Sequence, residues 1–198
     1  MSLLLPVGVF ALAYVMGSLP FAVWIARFYG VDIFKVGSGN PGATNVLRNL
    51  GKKPGYLCFL LDALKGVLPV VLARYLSDDE WLRVIAVSGA LLGHSFSLFQ
   101  KFRGGKGVAT TLGGLLAIHS PVTLIGIGIW LIAFFTFRFV SLASILLAIS
   151  FPISAFIFEA SIAVKSLVIV LAILIIVRHR SNISRLMNGT ENRFTRKS

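Results

Sequence analysis

The chain has 198 residues and a formal net charge of +12, with 57% hydrophobic and only 13% charged residues; its mean hydropathy of +0.89 lies far above that of an ordinary water-soluble domain. This excludes a soluble or disordered chain, and the length suits one membrane domain spanning residues 1–198. A basic balance of this kind would suggest nucleic acid in a soluble protein, but here it reads as positive charge retained in cytoplasmic loops beside anionic headgroups, so membrane lipids and no nucleic acid are the expected surroundings.

Apolar runs occupy residues 3–25, 55–76, 81–99, 108–119, 121–137, 140–158 and 163–177. A helical crossing needs roughly 20 residues, so the pattern predicts an all-α integral membrane protein with seven transmembrane helices, the fourth of them short. The first run lacks a preceding basic segment and exceeds a signal-peptide core, so it reads as an uncleaved span. Arg27, Lys35, Arg48, Lys52 and Lys53 follow the first run, Lys101, Arg103 and Lys106 the third, Arg138 the fifth; Arg178, Arg180, Arg185, Arg193, Arg196 and Lys197 form the tail. Asp78, Asp79, Glu80 and Glu159 fall on the other side. The positive-inside rule then places the N-terminus outside and the C-terminus in the cytoplasm. Cys58, the sole cysteine, reads as a buried inert thiol.

The segment VGSGNPGATNVLRNLGKKP, after the first run, breaks the apolar pattern with glycines, asparagines and small hydroxyl residues. Gly37, Ser38, Gly39, Asn40, Gly42, Thr44, Asn45 and Arg48 set backbone amides and short polar groups beside a guanidinium. Glycine lets a backbone approach a phosphate, a helix N-terminus adds its dipole, and arginine offers a fork of donors. The alternative is a tight interfacial turn with Asn45 as a helix cap. Before the fourth run, Phe102-Arg103-Gly104-Gly105-Lys106-Gly107 repeats the logic: cations, glycines and a following helix. This is not a Walker loop, whose spacing differs, but Gly104, Gly105, Lys106 and Gly107 form a second candidate phosphate site.

Asp62 and Lys65 share a face of the second helix. Ionisable residues inside a span are costly, so Lys65 either neutralises Asp62 or reaches a substrate phosphate. His179 and Asn182 lie three apart at the end of the last run; the histidine can serve as general base, orienting donor or interfacial residue. His94 reads as helix packing with a candidate functional role, and His119 as structural. No histidine is followed four residues later by aspartate, no lipase-like nucleophile elbow occurs, and carboxylates are few. No metal site and no cofactor are expected.

Together SGNPGATNVLR, DALKG, GGKGVAT and HRSNISRLMNGTE, in this order from residue 38 to residue 191, resemble the PlsY family of membrane acyl-phosphate:glycerol-3-phosphate acyltransferases. The resemblance implies a seven-helix fold and transfer of a fatty acyl group from acyl phosphate to the sn-1 hydroxyl of glycerol 3-phosphate. The products are lysophosphatidate and phosphate, in phospholipid synthesis at the cytoplasmic face of a bacterial inner membrane. It further implies an acyl-phosphate-producing enzyme upstream. Its functional positions fall on Ser38, Arg48, Lys106, His179 and Asn182, with Asp62, Lys65, the loop glycines and Glu191 weaker transfers. Acyl phosphate carries a good leaving group, so positioning alone supplies much of the acceleration; either His179 or a substrate phosphate takes the hydroxyl proton. A phosphate-ester transporter would need access from both faces, whereas these motifs cluster on one.

Overall fold

The structure, a computed structural model, describes residues 3–194; the basic residues Arg196 and Lys197 lie outside them. Among the described residues it is all-helical, and it divides into two compact units, one running to Ile118 and the other starting at His119.

In the first unit, the first apolar run is broken. Helix α1 (Leu4–Ser18) stops because Leu19 precedes a proline, which pushes it to an extended backbone, and α2 (Phe21–Phe28) resumes after Pro20. A loop rich in positive-φ glycines (Gly30, Gly37, Gly39) leads to the short amphipathic α3 (Ala43–Leu50), and Gly51, at φ 98, turns the chain into α4 (Lys52–Leu76). Helix α5 (Glu80–Ser95) starts at Asp79, whose side chain caps the amide of Trp81 at 3.0 Å. A 3-10 turn (Leu98–Gln100) and the glycine-rich loop follow, then α6 (Val108–Ile118).

Small residues set the helix pairing of this unit. A Cβ at Gly17, Gly89 or Gly93 would run into backbone across the α1–α5 contact, and one at Gly66 or Gly113 would do so across the α4–α6 contact. Backbones that approach this closely pack without a hydrophobic driving force, as lipid-embedded helices must. The same contact fixes the start of α6, and with it the loop that carries Lys106.

The second unit holds α7 (Ser120–Phe137), α8 (Val140–Ile157), α9 (Ile162–Arg178) and α10 (Arg180–Met187). His119 caps α7, its ring accepting from the amide of Val122 at 3.4 Å. Phe151 of α8 fits against Gly126 of α7, and the Trp130 indole donates to Ser144 Oγ at 3.3 Å. Helices α9 and α10 meet at 57°.

All seven apolar runs are helical, but among the described residues length and apolarity qualify five helices as membrane spans, or six if the bent α9–α10 pair counts as one. The protein is therefore a multi-pass membrane protein with five to six candidate spans. The short fourth run is the 11-residue α6, about 16 Å long at 1.5 Å per residue, roughly half a bilayer core. Large apolar side chains such as Ile132, Ile157 and Ile162 stand exposed on the helix surfaces, as expected where lipid replaces water.

Candidate active site

The first motif is a loop built around one side chain. Asn45, in the first turn of α3, is 3% exposed. Its Oδ1 accepts from the amide of Ser38 at 3.1 Å, and its Nδ2 donates to the carbonyls of Ile33 and Val36, each at 3.1 Å. Asn49 donates to the Asn45 side chain at 3.0 Å and to its carbonyl at 2.9 Å. A Cβ at Gly37 would strike both asparagine side chains, which explains why only glycine fits at that left-handed position. With Asn45 engaged on loop backbone, the loop is held rigid while Ser38 stays exposed and Arg48 half-buried on the same short helix–loop unit. The Ser38 hydroxyl accepts from the amide of Asn40 at 3.4 Å, closing a small turn.

The second loop is anchored from below. The amide of Gly105 donates to the carbonyl of His94 at 3.1 Å, and a Cβ on Gly105 would run into His94 Nε2. Gly104, Gly105 and Gly107 are buried and Lys106 is half-buried, with Gly107 at φ 80. The glycines thus let the loop lie flat on α5, and Lys106 leaves from a fixed backbone.

Beneath these two loops is a buried charge cluster. Lys65 Nζ sits 2.8 Å from Asp62 Oδ1 and donates to the Leu19 carbonyl at 3.1 Å, with its ammonium 5.6 Å from the Phe21 ring centroid. His94 Nδ1 lies 3.7 Å from the same Asp62 oxygen, and the Cys58 thiol donates to the other at 3.7 Å. Lys65 therefore fills one of the carbonyls left open by the α1–α2 break, 46 residues away in sequence. Ser97 Oγ fills a second, donating to the Ser18 carbonyl at 2.6 Å. A polar cavity of about 10 Å³, touched by Asp62, Lys65, His94, Pro41 and Gly105, is room for about one water.

In the second unit, His179 sits at the α9–α10 bend and is 3% exposed. Its Nδ1 lies 2.8 Å from the Ile175 carbonyl, which requires the proton on Nδ1 and makes Nε2 the basic nitrogen of the neutral ring. Asn182, one turn on, donates through Nδ2 to Glu191 Oε1 at 2.7 Å. Glu191 also accepts from Ser141 Oγ at 2.8 Å and, through Oε2, from Arg185 Nε at 2.7 Å. Burial alone would push the Glu191 carboxyl up; hydrogen bonds from Asn182, Arg185 and Ser141, with the Arg185 charge, instead hold it below its ordinary range. Glu191 thereby ties the bend, the start of α8 and the tail into one node.

The family model described as glycerol-3-phosphate acyltransferase matches residues 7–189, nearly the whole chain and both units. The chain belongs to this family of glycerol-3-phosphate acyltransferases. It is 46% identical to the glycerol-3-phosphate acyltransferase of Aquifex aeolicus, over 92% of this chain and 95% of that protein. It is 44% identical to that of Geobacter sulfurreducens, over 93% and 95%. Its fold superposes on the crystal structure of PlsY (YgiH), an integral membrane glycerol 3-phosphate acyltransferase in its glycerol 3-phosphate form. There the TM-score is 0.92 at 44% identity, covering 96% of both chains. The lysophosphatidic acid form gives 0.90 at 43% identity, covering 96% and 95%.

Set on this acyltransferase fold, the residues singled out in the sequence divide by unit. Gly37, Ser38, Gly39, Asn40, Gly42, Thr44, Asn45, Arg48, Lys65, Gly104, Gly105, Lys106 and Gly107 belong to the first unit; His179 and Asn182 belong to the second. Asn45 and Lys65 direct their polar atoms into the protein's own backbone and charges. Ser141 carried no signal in the sequence, since it lies inside an apolar run, and Glu191 stood only as one of the weaker transfers from the resemblance. The pairing of Asn182 with a carboxylate nine residues on is invisible to helical periodicity.

Proposed function

We propose that this acyltransferase moves a fatty acyl group from acyl phosphate to the sn-1 hydroxyl of glycerol 3-phosphate. The hydroxyl oxygen bonds to the acyl carbonyl carbon, the carbon–oxygen bond to phosphate breaks, and lysophosphatidate and inorganic phosphate form. The observation that carries this reading is the pair of glycine-built loops held by internal hydrogen bonds, one leading into α3, which bears Arg48, and the other bearing Lys106. Both substrates are phosphates. The PlsY structures, in glycerol 3-phosphate and lysophosphatidic acid forms, support the acceptor and the product.

In this proposal Arg48 and Lys106 neutralise phosphate oxygens, and Ser38, Thr44 and the loop amides of Gly37–Gly42 and Gly104–Gly107 orient them. Asn45 and Lys65 act one step back, keeping the loop and the α1–α2 break in place. In the second unit, His179 and Asn182 are the other two residues proposed for catalysis. The hydroxyl proton passes either to His179 Nε2 or to a substrate phosphate oxygen. An acyl phosphate is activated enough that positioning supplies much of the rate, and no enzyme nucleophile takes part. The topology that goes with this reading has seven crossings, an outer N-terminus, and the site at the cytoplasmic face of a bacterial inner membrane. An acyl-phosphate-producing reaction lies upstream, and the matched region supports one functional domain.

The test is phosphate release and lysophosphatidate formation by purified protein given acyl phosphate and glycerol 3-phosphate. Equal amounts of both products, lost in Lys106→Ala, are expected. Folded protein that forms no lysophosphatidate yet moves glycerol 3-phosphate into vesicles would replace the transferase with a transporter. A His179→Gln protein with unchanged turnover and pH profile would assign the proton to the substrate.

A further inference from the structure

The first unit contains a second pocket, of about 390 Å³ and cationic, next to the Asp62–Lys65 cavity, with which it shares Pro20 and Gln100. Trp24, Phe34 and Phe99 form its wall, and Arg27, Lys101 and Arg103 stand around it. No aspartate or glutamate lines it. Elsewhere Lys65 is held by Asp62, Arg185 by Glu191, Lys35 by Asp32, and Arg74 and Arg83 by backbone carbonyls, while Lys52, Lys53, Arg138 and Arg180 make no side-chain ion pair or hydrogen bond among the described residues. Among the described residues, the side chains of Arg27, Lys101 and Arg103 make no ion pair and no hydrogen bond. Asp32, on the neighbouring loop, is held by Lys35 at 3.8 Å and by the amide of Phe34 at 3.1 Å.

Three features separate this arrangement from charges that merely keep loops in the cytoplasm. The pocket is lined by the ends of two candidate spans, Leu4–Phe28 and Glu80–Gln100, and the ends of a span are where headgroups are expected. Its wall is half-exposed aromatic surface, Trp24 at 48% and Phe99 at 54%, of the kind that sits at a membrane interface. The turn bearing two of the cations is also built at a steric cost, with Lys101 at φ 51 and Phe102 at φ 60. Two successive left-handed residues with a Cβ are disfavoured. The turn is held nonetheless, by the amide of Phe102 on the Ser97 carbonyl at 2.8 Å and that of Arg103 on Gln100 at 3.0 Å.

We propose that this pocket binds the phosphate headgroup of an anionic phospholipid of the surrounding bilayer, its acyl chains running along Trp24 and Phe99. Three positive charges without a protein partner, set above an apolar wall, complement an anionic amphiphile and not a zwitterionic one. Arg103 directly precedes Gly104, so headgroup binding steadies the turn that feeds the loop carrying Lys106. This link to turnover rests on the acyltransferase reading; the binding does not.

The experiment leaves Trp24 as the single tryptophan, through Trp81→Phe and Trp130→Phe, in phosphatidylcholine vesicles with a minority of acyl-brominated lipid. Brominated phosphatidylglycerol is expected to quench Trp24 several-fold more than the same fraction of brominated phosphatidylcholine. Arg27→Gln/Lys101→Gln/Arg103→Gln is expected to erase that preference with thermal stability retained; Lys101→Gln alone, expected to lower it partway, covers a triple variant that does not fold. Equal quenching by the two lipids, or an unchanged preference in the variants, overturns the proposal. A lowered KM for acyl phosphate in pure phosphatidylcholine vesicles also overturns it, because the acyl donor then competes with anionic lipid for the same pocket. If acyl transfer is absent altogether, the quenching still decides the lipid site.

Discussion

Lys65→Met separates two roles for the second-helix lysine. Asp62 is 2% and Lys65 5% exposed, so removing the ammonium at 2.8 Å leaves a carboxylate in the protein interior with only a thiol and a histidine ring, each at 3.7 Å. The Leu19 carbonyl loses its donor as well. Breaking a buried pair by deleting one partner costs about 3–5 kcal/mol. At about 2–4 °C per kcal/mol for a chain of this size, the unfolding midpoint in detergent falls by roughly 6–20 °C. Asp62→Asn/Lys65→Met removes the orphaned charge too and is expected to recover most of that loss, with acyl transfer recovering alongside. A Lys65→Met protein with an unshifted midpoint but no activity, or a stable and inactive double variant, would refute the support role and make Lys65 a phosphate ligand.

Glu191→Gln replaces a carboxylate that accepts three hydrogen bonds, and at about 1.5–3 kcal/mol for a bond to a charged group at least one such increment is lost, read as a lower midpoint with lower turnover. Because the Glu191 carboxyl is held below its ordinary range, its stabilisation is fully present above about pH 4.3; it is lost as pH falls through the lowered value. The wild-type midpoint should drop over that acid window and the Gln variant should show a flatter profile. Gly105→Ala drives a Cβ into His94 Nε2, so turnover should fall at least tenfold, equivalent to about 1.4 kcal/mol, and His94→Asn, which shortens the ring away, should restore part of it. Gly113→Leu, which collides with the Ala63 carbonyl across the α4–α6 contact, should abolish folded yield in detergent, as seen by size exclusion.

By itself the sequence determined the solvent, the helices and the family. All seven apolar runs became helical, the first as two helices, with outer ends within about four residues of those expected, because in lipid a continuous apolar segment must satisfy its backbone internally. The glycine motifs were equally legible, since positive φ at Gly37, Gly39 and Gly107 is a local demand that side chains rarely meet. What only the tertiary structure decided is where the polar groups between those helices find partners. The first run was legible as one span, yet it breaks at Leu19–Pro20, and the open carbonyls are filled by Lys65 and Ser97, 46 and 79 residues away. Asn45 read as a phosphate contact or a helix cap and proved to be the pin of its loop. Ser141, silent inside an apolar run, joins Asn182 and Arg185 on Glu191. Apolarity acts on each segment separately and can be summed along the chain, whereas a buried polar group is stable only against a particular partner, and that partner is chosen by the packing of the helices.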